Sequence, residues 1–255
     1  MTTMNVDLNK LHMKGAISEE AEGKWGMVID MDICTGCQAC VAACAMENNI
    51  AYVGEEDAGY GRSMHWIRTE RFWEGEYPEV KMTDYQPMLC QQCGKAPCEP
   101  VCPAFATVHS QAEQINLQVY NRCVGTRYCG NNCPFQVRSF NWRDYQDNRV
   151  RPEITILANQ FNPDVTVRRK GVMEKCTFCI QRIHKAQDQA KSEGREVEDG
   201  EFTTACAQAC PANAITFGRI DNPESLVVQL ARTSRAEHHL DELGTLPRVT
   251  YLKGG

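Results

Sequence analysis

Cysteine is the residue type that carries the chemistry of this chain: fifteen of its 255 residues are cysteines, and they fall into four groups. The first group is Cys34, Cys37, Cys40 and Cys44; the second is Cys90, Cys93, Cys98 and Cys102; the third is Cys123, Cys129 and Cys133; the fourth is Cys176, Cys179, Cys206 and Cys210. The third group is one cysteine short, and Thr126 stands where a fourth would complete the pattern. Thiolates bind metals, so the grouping predicts four metal clusters, one of which differs from the others.

The spacing within the groups indicates which metal centre they bind. The first group reads C-x2-C-x2-C-x3-C, in which three thiolates bind one [4Fe-4S] cluster and the fourth reaches a second cluster. Cys102, Cys133 and Cys210 are each followed by proline, which fixes φ and sets the direction in which the chain leaves the ligand. Structural zinc would fit Cys176 and Cys179 alone, and disulfides are commonest in small secreted domains. Neither alternative accounts for the whole pattern, which favours iron–sulfur clusters.

The distances along the chain predict which groups pair. Only twenty residues separate Cys102 from Cys123, as in a compact two-cluster ferredoxin, so the second and third groups should pair. The first and fourth groups then pair around them, and each pair exchanges its last ligand. The first set of ligands is Cys34, Cys37, Cys40 and Cys210; the second set is Cys44, Cys176, Cys179 and Cys206; the third set is Cys90, Cys93, Cys98 and Cys133; the fourth set is Cys102, Cys123 and Cys129, beside Thr126.

Thr126 decides the expected cluster type in the fourth set. Its hydroxyl is a hard, normally protonated oxygen and a poor ligand for iron in a sulfide cluster. We therefore predict one [3Fe-4S] cluster in the fourth set and [4Fe-4S] clusters in the other three sets. The alternative keeps four irons, with water or Thr126 at the open corner. Arg122, Arg127 and Arg138 lie beside the third group and either raise the potential of this cluster or pair with acidic residues.

Composition limits the partners and the compartment. Hydrophobic residues, cysteines included, make up 42% of the chain, so the clusters should replace part of the core and folding should depend on metal. The formal net charge is −6, which argues against nucleic acid as a partner. No apolar run is long enough to span a membrane, and the N-terminus has no apolar secretion signal. We expect the protein either to stay in the cytoplasm or to be exported with a partner that carries the signal.

Short strands are predicted beside the cysteine groups, at 25–30 and 115–121. Similar segments follow Cys102 and Cys210, which indicates an α+β fold of duplicated bacterial-ferredoxin-like units, in two dicluster modules, with an inserted hairpin and an inserted helix. The predicted domains are a polar N-terminal extension at 1–24, a four-cluster domain at 25–220 and a C-terminal docking tail at 221–255. Within the four-cluster domain, module A is 25–60 plus 170–220, and module B is 85–145.

Two insertions interrupt the repeat. Alternation over 64–73 predicts a hairpin strand, and 181–193 has helical character, with Gly194 as the C-cap. This helix is either a subunit contact or a solvated surface helix. The tail carries apolar residues at helical spacing over 226–230, and we interpret it as a docking segment.

Two histidines and one basic run are not predicted to be metal ligands. His65 and His109 are expected to be plain surface or core residues rather than ligands. The run Arg168-Arg169-Lys170 is typical of a solvated face, and a contact with a partner or with lipid headgroups is the alternative.

Two stretches, Asn121–Phe135 and Asn162–Cys179, resemble the iron–sulfur part of alternative complex III and of the related menaquinone reductase complex of sulfate reducers. More broadly, residues 25–220 are similar to the four-cluster iron–sulfur subunit of complex iron–sulfur molybdoenzymes. The resemblance implies three [4Fe-4S] clusters and one [3Fe-4S] cluster. These would connect a large molybdopterin-type or cytochrome subunit to an integral membrane quinone-binding subunit, with the odd cluster nearest the membrane.

The resemblance also implies the type of assembly. The chain would be the electron-transfer subunit of a hetero-oligomeric oxidoreductase that reduces menaquinone, with no substrate-converting site of its own, and a multihaem cytochrome c is a further candidate partner. The complex would lie peripherally on the inner membrane, on the periplasmic side, with the cytoplasmic side as the alternative. Competing functions are the same relay in a molybdopterin reductase or dehydrogenase for a sulfur, arsenic or nitrogen compound, a soluble polyferredoxin, and a zinc-stapled interaction module.

Overall fold

The computed structural model describes residues 24–143 and 158–254, so the predicted extension at 1–24 lies outside the described residues apart from Lys24. The strands are β1 (Trp25–Asp30), β2 (Ile67–Glu74), β3 (Lys81–Leu89), β4 (Thr107–His109), β5 (Asn116–Gln118), β6 (Ser139–Phe140), β7 (Met173–Glu174), β8 (Ile215–Arg219), β9 (Ala236–Glu237) and β10 (Val249–Leu252). The α-helices are α1 (Ala39–Glu47), α2 (Gly54–Gly59), α3 (Tyr128–Asn131), α4 (Ile180–Ser192), α5 (Ala205–Gln208) and α6 (Leu226–Ala231). This mixture of short elements agrees with the predicted α+β class.

The largest sheet has four strands in the order β8-β1-β10-β9. β1 is antiparallel to β8 and parallel to β10, so Met27 pairs with Phe217 on one side and with Val249 on the other. The predicted strand at 25–30 is therefore confirmed, and it lies at the centre of the sheet. Because β1 precedes the first cysteine group and β8 follows the fourth, their pairing brings those two groups to the same end of the sheet.

The segment after residue 220 is part of this sheet, which corrects the boundary that we placed before a docking tail. Val249, Tyr251 and Leu252 in β10 are buried, and the predicted tail helix forms as α6. The apolar face of α6 packs on the protein's own sheet, where Val227 joins a cluster that includes Val28. The apolar spacing therefore indicated burial within this fold rather than contact with a partner.

Both predicted insertions adopt the expected structures. β2 and β3 form an antiparallel hairpin that runs from the pair Ile67–Leu89, which is buried, to an exposed tip. α4 covers 180–192, and its buried residues Ile183, Ala186 and Ala190 lie on one face. Gly194 has a φ of 70°, and the amide of the next residue donates to the carbonyl of Ala190 over 3.0 Å. This is the glycine C-cap that the sequence predicts.

Two smaller sheets lie beside the cysteine groups. β4 and β5 form an antiparallel pair between the second and third groups. The predicted strand at 115–121 is shorter than expected, because β5 ends at Gln118 and a 3-10 turn follows at Tyr120–Arg122. β6 pairs with β7 just before Cys176, which brings the chain after the third group next to the fourth group.

The core combines aromatic side chains with cysteines. Phe217 stacks on Trp25 with ring centroids 5.6 Å apart, and Phe178 and Phe202 pack against the same ring. Nine cysteines belong to the same buried cluster as these aromatic residues. None of the helices in the described part of the chain is both long enough and apolar enough to cross a membrane.

Candidate metal centres

All fifteen cysteines lie in the described part of the chain and are free thiols. The first set combines residues that are distant in sequence. Burial raises the pKa of the Cys34 thiol, and the nearby thiols of Cys210 and Cys37 raise it further. Burial raises the pKa of Cys40 to about 11, with Cys34, Cys210 and Cys37 acting in the same direction. Thiols that raise one another's pKa lie close together, so the structure brings these four residues into one region.

The second set is the most deeply buried. Burial raises the pKa of Cys44 well above its ordinary value, and the thiols of Cys176, Cys206 and Cys179 each raise it further. The side-chain amide of Asn48 lies 3.6 Å from the sulfur of Cys44 and 3.9 Å from that of Cys179. These four cysteines converge because α1 packs against α5 and Asn48, the residue after α1, reaches Cys179 at the start of α4.

The third set is also buried, with Cys90, Cys93, Cys98 and Cys133 exposed by 9% or less. Burial raises the pKa of Cys93 to about 12, and Cys90, Cys98 and Cys133 act in the same direction. The guanidinium of Arg138 donates to the sulfur of Cys98 over 3.0 Å. This set therefore has a cation in direct contact with one of its thiols.

The fourth set is more exposed. Cys129 is buried, but Cys102 and Cys123 are only half-buried. The pKa of Cys102 is lowered, since the effect of burial is outweighed by backbone N–H groups, including that of Ala106, and by the charge of Arg138. The backbone N–H of Met173 donates to the sulfur of Cys123 over 3.4 Å.

Thr126 lies in an exposed turn beside this set. Its neighbours Gly125 and Arg127 both have positive φ, at 77° and 61°. The guanidinium of Arg127 stacks over the rings of Phe140 and Trp142, 5.2 and 5.0 Å from their centroids. These contacts hold the guanidinium of Arg127 against two aromatic rings.

The four sets are neighbours in one order. Burial raises the pKa of Cys206 in the second set to about 11, the side chain of Thr204 lowers it, and Cys40 of the first set raises it. Cys90 of the third set raises the pKa of Cys176 in the second set, again as a lesser effect than burial. Arg138 interacts electrostatically with thiols of both the third and the fourth sets, among them that of Cys129. The sets therefore follow one another as first, second, third and fourth.

Other residues that the sequence marked have different partners. The ring of His109 pairs with the carboxylate of Glu99, which accounts for it structurally. His65 is exposed, and partial desolvation of its ring together with the charge of Arg68 lowers its pKa. Arg122 is exposed. Of the three arginines beside the third group, Arg138 is the one that contacts a cysteine.

The basic run at 168–170 is not uniformly solvated, which corrects the simplest interpretation of it. Arg168 is buried and forms an ion pair of 2.9 Å with Glu174, whereas Arg169 and Lys170 are exposed. The guanidinium of Arg168 also lies over the ring of Trp66.

Sequence reasoning missed two polar residues near the thiols. Lys175 is fully buried, and its ammonium donates to the carbonyls of Asn116 and Cys176. The side-chain amide of Asn48, the residue that follows α1, lies close to the sulfurs of Cys44 and Cys179. The sequence offered one weak indication that Lys175 lies near a metal centre, since Lys175 immediately precedes Cys176.

The arrangement fits iron–sulfur clusters. A cluster requires several thiolates around one volume and N–H donors directed at the sulfurs. Backbone N–H groups lie within hydrogen-bond distance of the sulfurs of Cys102, Cys176 and Cys210, at 3.2, 3.4 and 3.3 Å. A bound cluster would keep the thiols deprotonated, since iron replaces the proton that burial otherwise retains. Among the described residues, no group of three or more His, Cys, Asp and Glu side chains is arranged to hold a single metal ion.

Converging thiols in a mixed α/β fold define the class of iron–sulfur electron-transfer proteins. Known proteins narrow this class. No family model matches the chain. It is 44% identical to the iron–sulfur cluster-binding subunit of menaquinone reductase from Nitratidesulfovibrio vulgaris, over 92% of this chain and 90% of the relative.

Two other relatives agree with this result. The iron–sulfur subunit of arsenate respiratory reductase from Shewanella sp. is 34% identical, over 89% of this chain and 95% of the relative. Iron–sulfur subunit 1 of the Hdr-like menaquinol oxidoreductase from Archaeoglobus fulgidus is 32% identical, over 91% of this chain and 84% of the relative. The chain belongs to this family of iron–sulfur subunits of multi-subunit oxidoreductase complexes, as the sequence motifs predicted. It is therefore an electron-transfer subunit of an oxidoreductase.

Proposed function

We propose that the chain relays electrons between a periplasmic redox subunit and a quinone-binding membrane subunit, and that the complex reduces menaquinone. The observation that carries this proposal is the order of the four thiol sets, because neighbouring clusters pass electrons in sequence. The 44% identity to a menaquinone reductase subunit favours menaquinone as the quinone.

We propose the following ligands for the clusters. Three [4Fe-4S] clusters are bound by the first set (Cys34, Cys37, Cys40, Cys210), the second set (Cys44, Cys176, Cys179, Cys206) and the third set (Cys90, Cys93, Cys98, Cys133). One [3Fe-4S] cluster is bound by the fourth set (Cys102, Cys123, Cys129). The mutual effects on thiol pKa support the first three sets. Thr126 supports the three-iron cluster, because a hydroxyl is a poor ligand for this iron.

The two-module organisation is part of the same proposal. Module A, at 25–60 and 170–220, is supported by the pairing of β1 with β8 across the first and fourth groups. Module B, at 85–145, is supported by the pairing of β4 with β5 between the second and third groups. Each pairing brings together the two cysteine groups that would exchange a ligand.

The end of the relay that faces the membrane would be the fourth set. Cys102 and Cys123 of this set are only half-buried, and Phe105, Val124 and Tyr128 expose large apolar surfaces close to its cysteines in sequence. A subunit contact would cover such surfaces. We propose that the chain attaches peripherally to the inner membrane through this contact, on the periplasmic side.

The test is purification of the complex from membranes, with metal analysis and electron paramagnetic resonance (EPR). About fifteen iron atoms per chain and a three-iron signal in the oxidised protein are expected. Absence of the three-iron signal would contradict the [3Fe-4S] assignment. A protein that contains zinc and no iron would contradict the proposed electron relay. Purification as a stable monomer without membrane subunits would favour a soluble polyferredoxin.

A second function has specific support. A relative that is 34% identical serves an arsenate respiratory reductase, so the same relay in a molybdopterin reductase or dehydrogenase is the competing proposal. The two differ in the large subunit that co-purifies. A molybdenum-containing subunit that converts a small oxyanion would favour the second function, whereas electron transfer from a cytochrome to menaquinone would favour the first.

A further inference from the structure

Arg138 occupies a fixed position between the third and fourth sets. Its guanidinium donates to the sulfur of Cys98 over 3.0 Å and to the side-chain oxygens of Asn116 and Gln118 over 3.0 and 2.9 Å. It also donates to the hydroxyl of Thr107 over 3.2 Å. Each of these oxygen atoms is uncharged, and three of the partners belong to β4 and β5. β4 and β5 therefore hold the guanidinium of Arg138 against the sulfur of Cys98. Among these partners, the thiolate of Cys98 is the group that can balance its positive charge.

The charge of Arg138 reaches both sets. It interacts with the thiols of Cys98, Cys90 and Cys133 in the third set and with that of Cys129 in the fourth. Thr107, to which Arg138 donates, follows Ala106, whose backbone N–H donates to the sulfur of Cys102 in the fourth set over 3.2 Å. A second cation, Lys175, is fully buried, and its ammonium donates to the carbonyl of Asn116, whose side chain Arg138 contacts.

The cations near the second set are arranged differently. Arg182 donates to both carboxylate oxygens of Glu47 over 3.0 and 2.7 Å, and Arg168 forms its ion pair with Glu174. Each of these charges is matched by a carboxylate. Glu47 also raises the pKa of Cys179, after burial and Cys206. Arg182 and Arg168 near the second set are thus paired with carboxylates, whereas Lys175 donates to the carbonyls of Asn116 and Cys176, and Arg138 donates to the sulfur of Cys98 in the third set.

Reduction adds one negative charge to a cluster, and hydrogen bonds and charges near the sulfurs set its potential. A fixed cation stabilises the reduced form more than the oxidised form. We propose that Arg138 raises the reduction potentials of the clusters in the third and fourth sets together, with Lys175 acting on the third set. This inference rests on the proposed relay, and it gives the electron a favourable path toward the fourth set.

The test is a redox titration of the purified complex, monitored by EPR, with Arg138→Met. This change keeps side-chain length while it removes the charge and all donors. At a fixed potential, the ratio of reduced to oxidised cluster should fall about tenfold in the third and fourth sets, which is about 59 mV for a one-electron couple. The first and second clusters should be unchanged. Arg232→Met, an exposed arginine after α6, is the matched control and should change none of them.

Three further variants separate charge from geometry. Arg138→Lys keeps the charge and should keep most of the potential. Arg138→Gln removes the charge but keeps a polar side chain, so it tests the proposal if Arg138→Met fails to assemble its clusters. Lys175→Met should lower the potential of the third cluster. Intact clusters with unchanged midpoints in every variant that removes a charge would overturn the inference. An absence of clusters from the wild-type complex would instead overturn the proposed relay, so the two failures are distinguishable.

Discussion

Replacement of Arg168 by methionine should destabilise the protein strongly. Arg168 is 3% exposed, and its guanidinium donates to the carbonyls of Asn48, Asn49 and Thr166 over 2.6, 3.0 and 2.8 Å. It also pairs with Glu174 over 2.9 Å. One side chain thus connects the end of α1 to the strand that precedes Cys176.

The magnitude follows from what the substitution leaves behind. Methionine removes the partner of Glu174, which is 1% exposed, and breaking a buried ion pair costs about 3–5 kcal/mol. Glu174 keeps uncharged donors from Trp66 and Asn141 at 3.2 and 3.0 Å, so the lower half of that range is expected. For a chain of this size, about 3–4 kcal/mol corresponds to a decrease in Tm of about 6–16 °C.

The assay is thermal loss of the visible absorbance of the clusters in the purified complex. The loss is expected to be irreversible, so all variants must be compared at one scan rate. Arg232→Met is the matched control, because Arg232 is the exposed arginine after α6. The double variant R168M/E174Q should recover at least about 1 kcal/mol, since no unpaired carboxylate remains. Equal decreases in Tm for R168M and R232M would refute this reasoning.

Three further predictions concern the clusters. Thr126→Cys should convert the fourth set to four irons and lower its potential; loss of the three-iron EPR signal and one additional iron per chain would be measured, and a persisting signal would contradict it. Gly125→Ala should lower the free energy of unfolding by at least about 1–2 kcal/mol, because φ is 77° and a Cβ atom would lie 2.4 Å from the carbonyl oxygen of Gly171. Selective loss of the fourth cluster is the expected result. Gly59→Ala is the control, because a Cβ atom there would have open space. Removal of iron by a chelator should reduce protease resistance throughout 24–143, because buried thiols without metal leave the loops without a core; unchanged resistance would argue against metal-dependent folding.

Features that depend on local spacing could be predicted from the sequence. β1, the hairpin and α4 follow from apolar periodicity, and Gly194 ends α4 because glycine adopts positive φ without strain. The family could be predicted for the same reason, since the spacing of the cysteines and the position of Thr126 can be recognised in the sequence without knowledge of the fold.

Features that depend on distant contacts could not be predicted. Arg168 and Arg169 are adjacent and chemically identical, and only the positions of Trp66 and Glu174 in the fold make one buried and the other exposed. The tail illustrates the same point: its apolar spacing predicted a helix, but β10 is parallel to β1, and no local signal specifies a partner so far away. Burial of Lys175 is likewise a property of the packed sheets rather than of its neighbours in sequence.

The parallel pairing of β1 with β10 has a consequence for the order of events during folding. Met27 and Val249 are neighbours in the sheet although more than two hundred residues separate them in the chain. Such a contact closes a very long loop, which makes it slow and entropically costly to form. A chain still being synthesised cannot complete this sheet until β10 has emerged from the ribosome. A cluster bound by the first set would close almost the same loop through Cys210, so cluster insertion and sheet closure should accelerate each other rather than occur as separate steps.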